Sequence, residues 1–216
     1  MLKAVFFDFD GTLGDTLALC VEAFKNAIEP LVGRSFTDHE IIDTFGPSEE
    51  GTIQNLVPDH QEEGIEEYLR QYELLHEKYS APFPGIREIL DFLKKKGIIL
   101  AIITGKGKKS CDISVNYYKM NEVFDWIETG SPLGPCKPKC IRNTLDHFRL
   151  LPSEAVYVGD SPSDVRACRE VRVPCIAAAW ASSADLNALK EQNPDYLCKD
   201  IPALRKVLQN LIERTE

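Results

Sequence analysis

Ala4-Val5-Phe6-Phe7-Asp8-Phe9-Asp10-Gly11-Thr12-Leu13 is an apolar run that ends abruptly in an acid, with a second acid two residues on and a glycine after it. Residues 2–8 read as a short strand, and the carboxylates lie just beyond it. Along a strand, residues two apart share a face; past its end the chain is free to turn both acids toward one centre. Gly11 permits the tight turn that such a loop needs. Two carboxylates there suit a hard divalent cation and proton transfer. A solvated strand end, with the acids capping the next loop, is the bland alternative, and Asp-x-Asp by itself does not choose between the two.

Working outward, the same kind of run recurs. Ile98-Ile99-Leu100-Ala101-Ile102-Ile103 ends at Thr104-Gly105, and Ala155-Val156-Tyr157-Val158 ends at Gly159-Asp160. Pro174–Ala179 is a fourth candidate strand, and 124–128 a weaker fifth. Helical periodicity fills the intervals at 86–96, 108–119, 138–149, 162–170 and 183–191. Strands alternating with helices predict an α/β fold, a Rossmann-like parallel sheet with helices on its faces. In such sheets ligands bind in the crevice beyond the carboxyl ends of the strands. Asp8, Thr104 and Asp160 all fall there.

Residues 15–80 break the alternation. Helical patterns near 16–29, 49–56 and 61–79 carry many charges and no convincing strand, so the segment reads as a helical insert after the first strand. Pro82, Pro84 and Gly85 mark the return.

Composition narrows the function. The chain has 216 residues, enough for one large core with a modest insert. A formal charge of −9 argues against a nucleic-acid surface, since phosphate backbones are held by excess Lys and Arg. No apolar run nears the roughly 20 residues of a membrane span, and the N-terminal run is too short for a signal peptide. Seven cysteines without a repeating spacing argue for reduced thiols and a cytoplasmic chain. Cys136-Lys-Pro-Lys-Cys140 has a spacing that a metal could use, but no second pair completes a site.

Three further strand-end signals join the first. Thr104-Gly105-Lys106 offers a hydroxyl and free N–H groups at a helix start, where phosphate oxygens are held; an ordinary helix cap is the alternative. Lys137, in a loop stiffened by Pro132, Pro135 and Pro138, is a fixed positive charge or an ordinary surface lysine. Asp160 and Asp164 are one helical turn apart in Gly-Asp-Ser-Pro-Ser-Asp and can face one ion, or cap the helix, or both. Together the four loops supply a nucleophile, an acid/base, phosphate donors, a cation and metal ligands.

In this order the motifs resemble those of the haloacid dehalogenase superfamily of phosphatases, in the branch that includes phosphoglycolate phosphatases. The match spans nearly the whole chain. Asp-x-Asp-Gly-Thr-Leu, followed by Asp15-Thr16, and Gly-Asp-Ser-x-x-Asp are its specific parts. The resemblance implies a core of residues 1–14 and 82–216 and a helical cap of 15–81. It makes Asp8 the nucleophile, Asp10 the acid/base, and Lys137 a catalytic counter-charge. Thr104 and Gly105 become phosphate donors. Mg²⁺ would be held by Asp8, the Asp10 main-chain carbonyl and Asp160, with Asp164 acting directly or through water. The implied partner is a small phosphorylated metabolite, with no nucleic acid or membrane; the oligomeric state stays open.

A phosphosugar mutase and a non-catalytic phospho-ligand or partner-binding protein remain as alternatives. The mutases of this branch carry His four residues after the Thr that matches Thr16, where this chain has Cys20. Within the insert, Phe45–Glu50 is the expected segment reaching toward the site, and Arg34 an expected anion contact.

Overall fold

The computed structural model describes residues 1–79 and 81–213. Ser80, at the end of the expected insert, and 214–216, at the end of the expected core, lie outside the described residues. Strand β1 (Ala4–Phe7) is followed by helices α1 (Leu17–Val32), α2 (Asp38–Ile42), α3 (Glu49–Leu56) and α4 (Gln61–His76). The remainder alternates: α5 (Ile86–Lys95), β2 (Ile99–Ile103), α6 (Lys108–Tyr117), β3 (Trp126–Glu128), α7 (Lys137–Phe148) and β4 (Ala155–Gly159). It continues with α8 (Pro162–Val171), β5 (Cys175–Ala178), α9 (Leu186–Glu191), β6 (Tyr196–Cys198) and α10 (Ile201–Glu213).

The sheet is wholly parallel, in the order β3-β2-β1-β4-β5-β6. β1 lies inside it, with Phe7 opposite Ile102 on one side and Val158 on the other. Its residues alternate between two cores, Val5 and Phe7 packing with α5, α6 and α10 and Ala4 and Phe6 with α7 and α8. A strand buried on both faces needs a continuous apolar run. The chain order reverses at β1, between β2 and β4, and this switch point opens the crevice at their carboxyl ends.

The helices between β1 and α5 build a third core of their own, centred on Phe24, Ile28, Ile41, Ile53, Tyr68 and Tyr72. Phe24 and Tyr68 rings lie 4.4 Å apart. The unit docks on α6 through Tyr72 Oη and His76 Nε2, at 2.8 and 2.9 Å from Ser114 Oγ.

Some elements depart from expectation. α1 runs three residues past 29 because Pro30 sits near its end, where only one ladder bond is lost; Gly33 at φ 65° then stops it. α2 is additional, a single turn fixed by a capping box between Thr37 and Glu40. β6 and α10 are additional too. β6 is a three-residue edge strand, too short for periodicity, whereas α10 buries Leu204 and Leu208 one turn apart. Among the described residues, no helix is long and apolar enough to cross a membrane.

Candidate active site

Asp8 extends the β1 ladder by donating its N–H to the Val158 carbonyl, 2.9 Å away. Its Oδ1 accepts the Phe9 N–H at 2.7 Å. The chain then folds back, with Leu13 N bonded to the Phe9 carbonyl and Gly11 at φ +74°. A Cβ on Gly11 would stand 2.1 Å from Asp160 Oδ2. The glycine therefore serves both the left-handed turn and the close approach of an acid. Gly11→Ala is expected to cost about 1–2 kcal/mol for its backbone alone and to push Asp160 aside. A denaturant melt and a metal titration of the variant check both effects.

Lys137 begins α7 and reaches across to β1. Its Nζ lies 2.6 Å from Asp8 Oδ2 and also pairs with Asp164 Oδ1. Asp164 is fully buried and does two jobs, because its other oxygen accepts the Ser161 hydroxyl at 2.8 Å and closes the capping box of α8. Carboxylate oxygens of Asp8, Asp160 and Asp164 lie within 4.8 Å of one another. At an effective dielectric of about 20, each such pair repels by roughly 3–4 kcal/mol.

The proton affinities record that crowding. Burial, opposed by Lys137 and reinforced by Asp164, pushes the Asp8 carboxyl up to about 6. Burial and then the charges of Asp8 and Asp164 raise Asp160 well above the usual carboxylate range. Burial alone would lower Lys137, but Asp164 and Asp8 outweigh it and hold the ammonium charged. When all three are ionised, three carboxylates against one ammonium leave two uncompensated negative charges on hard oxygen donors. That donor set fits a divalent cation such as Mg²⁺.

Thr104 is buried at the end of β2, its N–H bonded to the Glu128 carbonyl at 3.1 Å. Gly105 follows and lines the same cavity as Asp8, Asp10, Lys137 and Asp160, of about 670 Å³. Asp10 turns away from the three-acid cluster. Its Oδ1 accepts the Thr16 hydroxyl, and its Oδ2 lies 3.3 Å from Lys106 Nζ. Its side chain is thus held apart from Asp8, Asp160 and Asp164.

Lys106, Glu49 and Thr16 are not among the expected catalytic or ligand residues, although Lys106 follows Thr104-Gly105 and Glu49 falls within Phe45–Glu50. Lys106 is buried, flanked by Asp10, by Glu49 Oε1 at 3.4 Å, and by the Tyr72 ring at 4.4 Å. Glu49 also accepts from the Gly107 N–H and the Ser110 hydroxyl, tying the helical unit to α6. Thr16 carried a sequence signal, since it follows Asp15 in the first motif. Lys106 and Glu49 are 57 residues apart and acquire meaning only by folding.

The segment expected to reach the site contributes Phe45, Gly46, Pro47 and Glu49 to the cavity wall. Arg34 does not join them. It pairs with Glu40 at 3.0 Å and covers the Phe36 ring, so its charge is used on the outer surface of the helical unit. Among the described residues, Cys136 and Cys140 gain no third metal ligand, and all seven cysteines are free thiols.

The model of the family described as haloacid dehalogenase-like hydrolase matches residues 5–178. A protein provisionally named pyrophosphatase PpaX from Caldanaerobacter subterraneus subsp. tengcongensis is 29% identical over 98% of this chain and 97% of its own length. A phosphoglycolate phosphatase from Pseudomonas savastanoi pv. phaseolicola is 28% identical, over 98% of this chain and 80% of the relative. Among solved structures, the haloacid dehalogenase-like family hydrolase SP0104 from Streptococcus pneumoniae superposes with a TM-score of 0.79 at 26% identity. That match covers 96% of this chain and 99% of the other.

Proposed function

This chain belongs to the haloacid dehalogenase-like hydrolase family and is an enzyme of its phosphatase kind, and on that premise we propose that it hydrolyses a small phosphorylated metabolite through an aspartyl-phosphate on Asp8. The observation that carries this reading is the buried Asp8 carboxylate, 2.6 Å from Lys137 and within 4.8 Å of two further acids, where the chain order reverses. Residues 1–14 and 82–216 form the catalytic core in this reading, and 15–81 the cap over it.

Asp8 attacks phosphorus while Lys137 orients its carboxylate and offsets charge as it builds. The Thr104 hydroxyl and Gly105 N–H donate to phosphate oxygens. Asp10, held by Thr16 and Lys106, gives its proton to the departing oxygen. It then takes one from the water that attacks the acyl-phosphate, and inorganic phosphate leaves with Asp8 restored. Asp8, Asp160, Asp164 and the Asp10 carbonyl are the residues that would hold Mg²⁺, whose charge offsets the repulsion between carboxylate and phosphate.

Relatives carry the names pyrophosphatase and phosphoglycolate phosphatase. A cavity of about 670 Å³ has room for a leaving group as well as the phosphate. The same proposal places the protein in the cytoplasm, where seven free thiols stay reduced. Cys20 borders the site 3.7 Å from Asp10, and burial followed by the Asp10 charge pushes its thiol up to about 12. A neutral thiol does not replace an imidazole, so nothing here favours the mutase alternative.

Phosphate release from an aryl phosphate, followed with added Mg²⁺ and with chelator, tests the proposal. Hydrolysis should require the cation, and full activity in chelator would contradict it. A panel of phosphoglycolate, pyrophosphate, nucleoside monophosphates and sugar phosphates then ranks substrates.

Asp160→Asn separates binding from folding. Because the folded-state pKa of Asp160 is raised, its protonated form favours the fold, and that contribution is lost as pH rises through the raised value. The metal-free variant should therefore be more stable than wild type at neutral pH, on the order of 1 kcal/mol or about 2–4 °C in Tm. That advantage should vanish in acid. Its Mg²⁺ requirement should rise at least about tenfold.

A further inference from the structure

Lys137 stands between two cysteines that the proposed mechanism does not use. Cys136 precedes α7 and Cys140 lies one turn inside it, and their sulfurs are 3.5 Å apart. Both thiols face the Thr129 carbonyl, at 3.7 and 3.9 Å. Cys136 is half-buried on the wall of the cavity, whereas Cys140 is buried in the helix. Cys168 and Cys175, also neighbours, are sealed under the sheet at 1% exposure each. The Cys136–Cys140 pair is the one that combines sulfur contact with access from solvent.

We propose that Cys136 and Cys140 form a reversible disulfide, a modification site that disables the catalytic centre by drawing Lys137 away from Asp8. The effect on turnover rests on the phosphatase reading; formation of the bond does not. The oxidant is a low-molecular-weight disulfide. The Cys136 thiolate attacks one of its sulfurs, a Cys136–S bond forms, the small S–S bond breaks, and one small thiolate leaves. The Cys140 sulfur then attacks Cys136, and the second small thiolate leaves. Two cysteine thiols are oxidised and one small disulfide is reduced to two thiols, which take up the two cysteine protons.

Three features favour this order of events. The Cys140 thiol donates a hydrogen bond to Cys136, which holds Cys136 below the ordinary thiol range and enriches the attacking thiolate. The attacker is the sulfur that solvent reaches. The resolving sulfur is already in contact with it.

The bond also has a mechanical cost. A disulfide needs sulfurs about 2.05 Å apart, so the pair must close by roughly 1.5 Å. Cys140 is buried inside the helix, its carbonyl accepting the Thr144 hydroxyl at 2.9 Å, whereas Cys136 stands half-buried before the first turn. Movement therefore falls on Cys136 and on the adjoining backbone of Lys137. An ångström of displacement there breaks the 2.6 Å contact with Asp8. Misplacement on that scale costs on the order of a hundredfold in rate.

The test is to incubate the intact protein with oxidised glutathione, alkylate the remaining thiols and digest with trypsin. Trypsin does not cut between Lys137 and Pro138 but cuts after Lys139, so the bond would join residues 120–139 to 140–142. The linked peptide should appear, aryl-phosphate turnover should fall at least tenfold, and dithiothreitol should reverse both. In Cys140→Ser, glutathione should remain attached within 120–139 because no resolving thiol is left. If that variant does not fold, the same adduct should appear early in a wild-type time course and decay into the linked peptide. Alkylated Cys136 and Cys140 after oxidation would overturn the site. A linked peptide with unchanged turnover would overturn its hold on Lys137. Absence of turnover in the reduced protein, with the linked peptide present, would instead count against the phosphatase reading.

Discussion

Asp8→Asn is expected to reduce phosphate release by at least about 10⁴-fold while the protein still folds. An amide keeps the size of the side chain and the bond from Phe9 N–H to its oxygen, so β1 and its turn lose little. What it removes is the carboxylate proposed as nucleophile, and no other acid stands in its place. Asp160 and Asp164 belong to the start of α8, Asp164 within its capping box. Asp10 is drawn toward Thr16 and Lys106. The effect should therefore lie in turnover and not in substrate affinity, and steady-state kinetics separate the two. Residual activity within tenfold of wild type would place the nucleophile elsewhere.

Lys137→Met should show the second-largest loss, about 10²–10³-fold in turnover, together with a loss of stability of roughly 3 kcal/mol. Methionine matches the length of the chain but leaves Asp8, Asp160 and Asp164 facing one another with no ammonium among them. The Asp8 carboxyl, already pushed up to about 6 with Lys137 in place, loses its main opposing charge and rises further. More of it is then protonated at neutral pH, and a protonated nucleophile does not attack. Added Mg²⁺ should raise the Tm of this variant more than that of wild type, because it answers a larger charge imbalance. Thermal melts with and without the cation measure this directly. An equal rise in both proteins would mean that Lys137 does not share the charge of the cluster.

How much of this is legible before folding depends on the kind of signal. Asp8, Thr104 and Asp160 stand at the ends of apolar strands, a local pattern, and the parallel sheet then carries them to one crevice. Lys137 is one lysine among several, and its proline-rich setting and its place between β3 and β4 are shared by Lys139, so only the fold, which brings Lys137 to Asp8, separates the two. The pairing of Lys106 with Glu49 has no local signature, because it exists only when the helical unit rests on α6. Arg34 illustrates the converse. A cation in the insert invites assignment to an anionic ligand, yet Glu40 and the Phe36 ring are closer and claim it. β6 is too short for a period of two to register, and α10 goes unanticipated although Leu204 and Leu208 stand one helical turn apart.

The proposed mechanism turns on a covalent bond from an Asp8 carboxylate oxygen to phosphorus, and that bond can be trapped. An aryl phosphate has a leaving group that departs without a proton, so Asp10→Asn should still be phosphorylated but should hydrolyse slowly and accumulate the acyl-phosphate. Acid quenching followed by borohydride reduction converts an aspartyl-phosphate to homoserine, which peptide sequencing locates. Homoserine at position 8 is the predicted result. An unmodified Asp8 in protein that has released aryl alcohol, or reduction at another residue, would contradict the account.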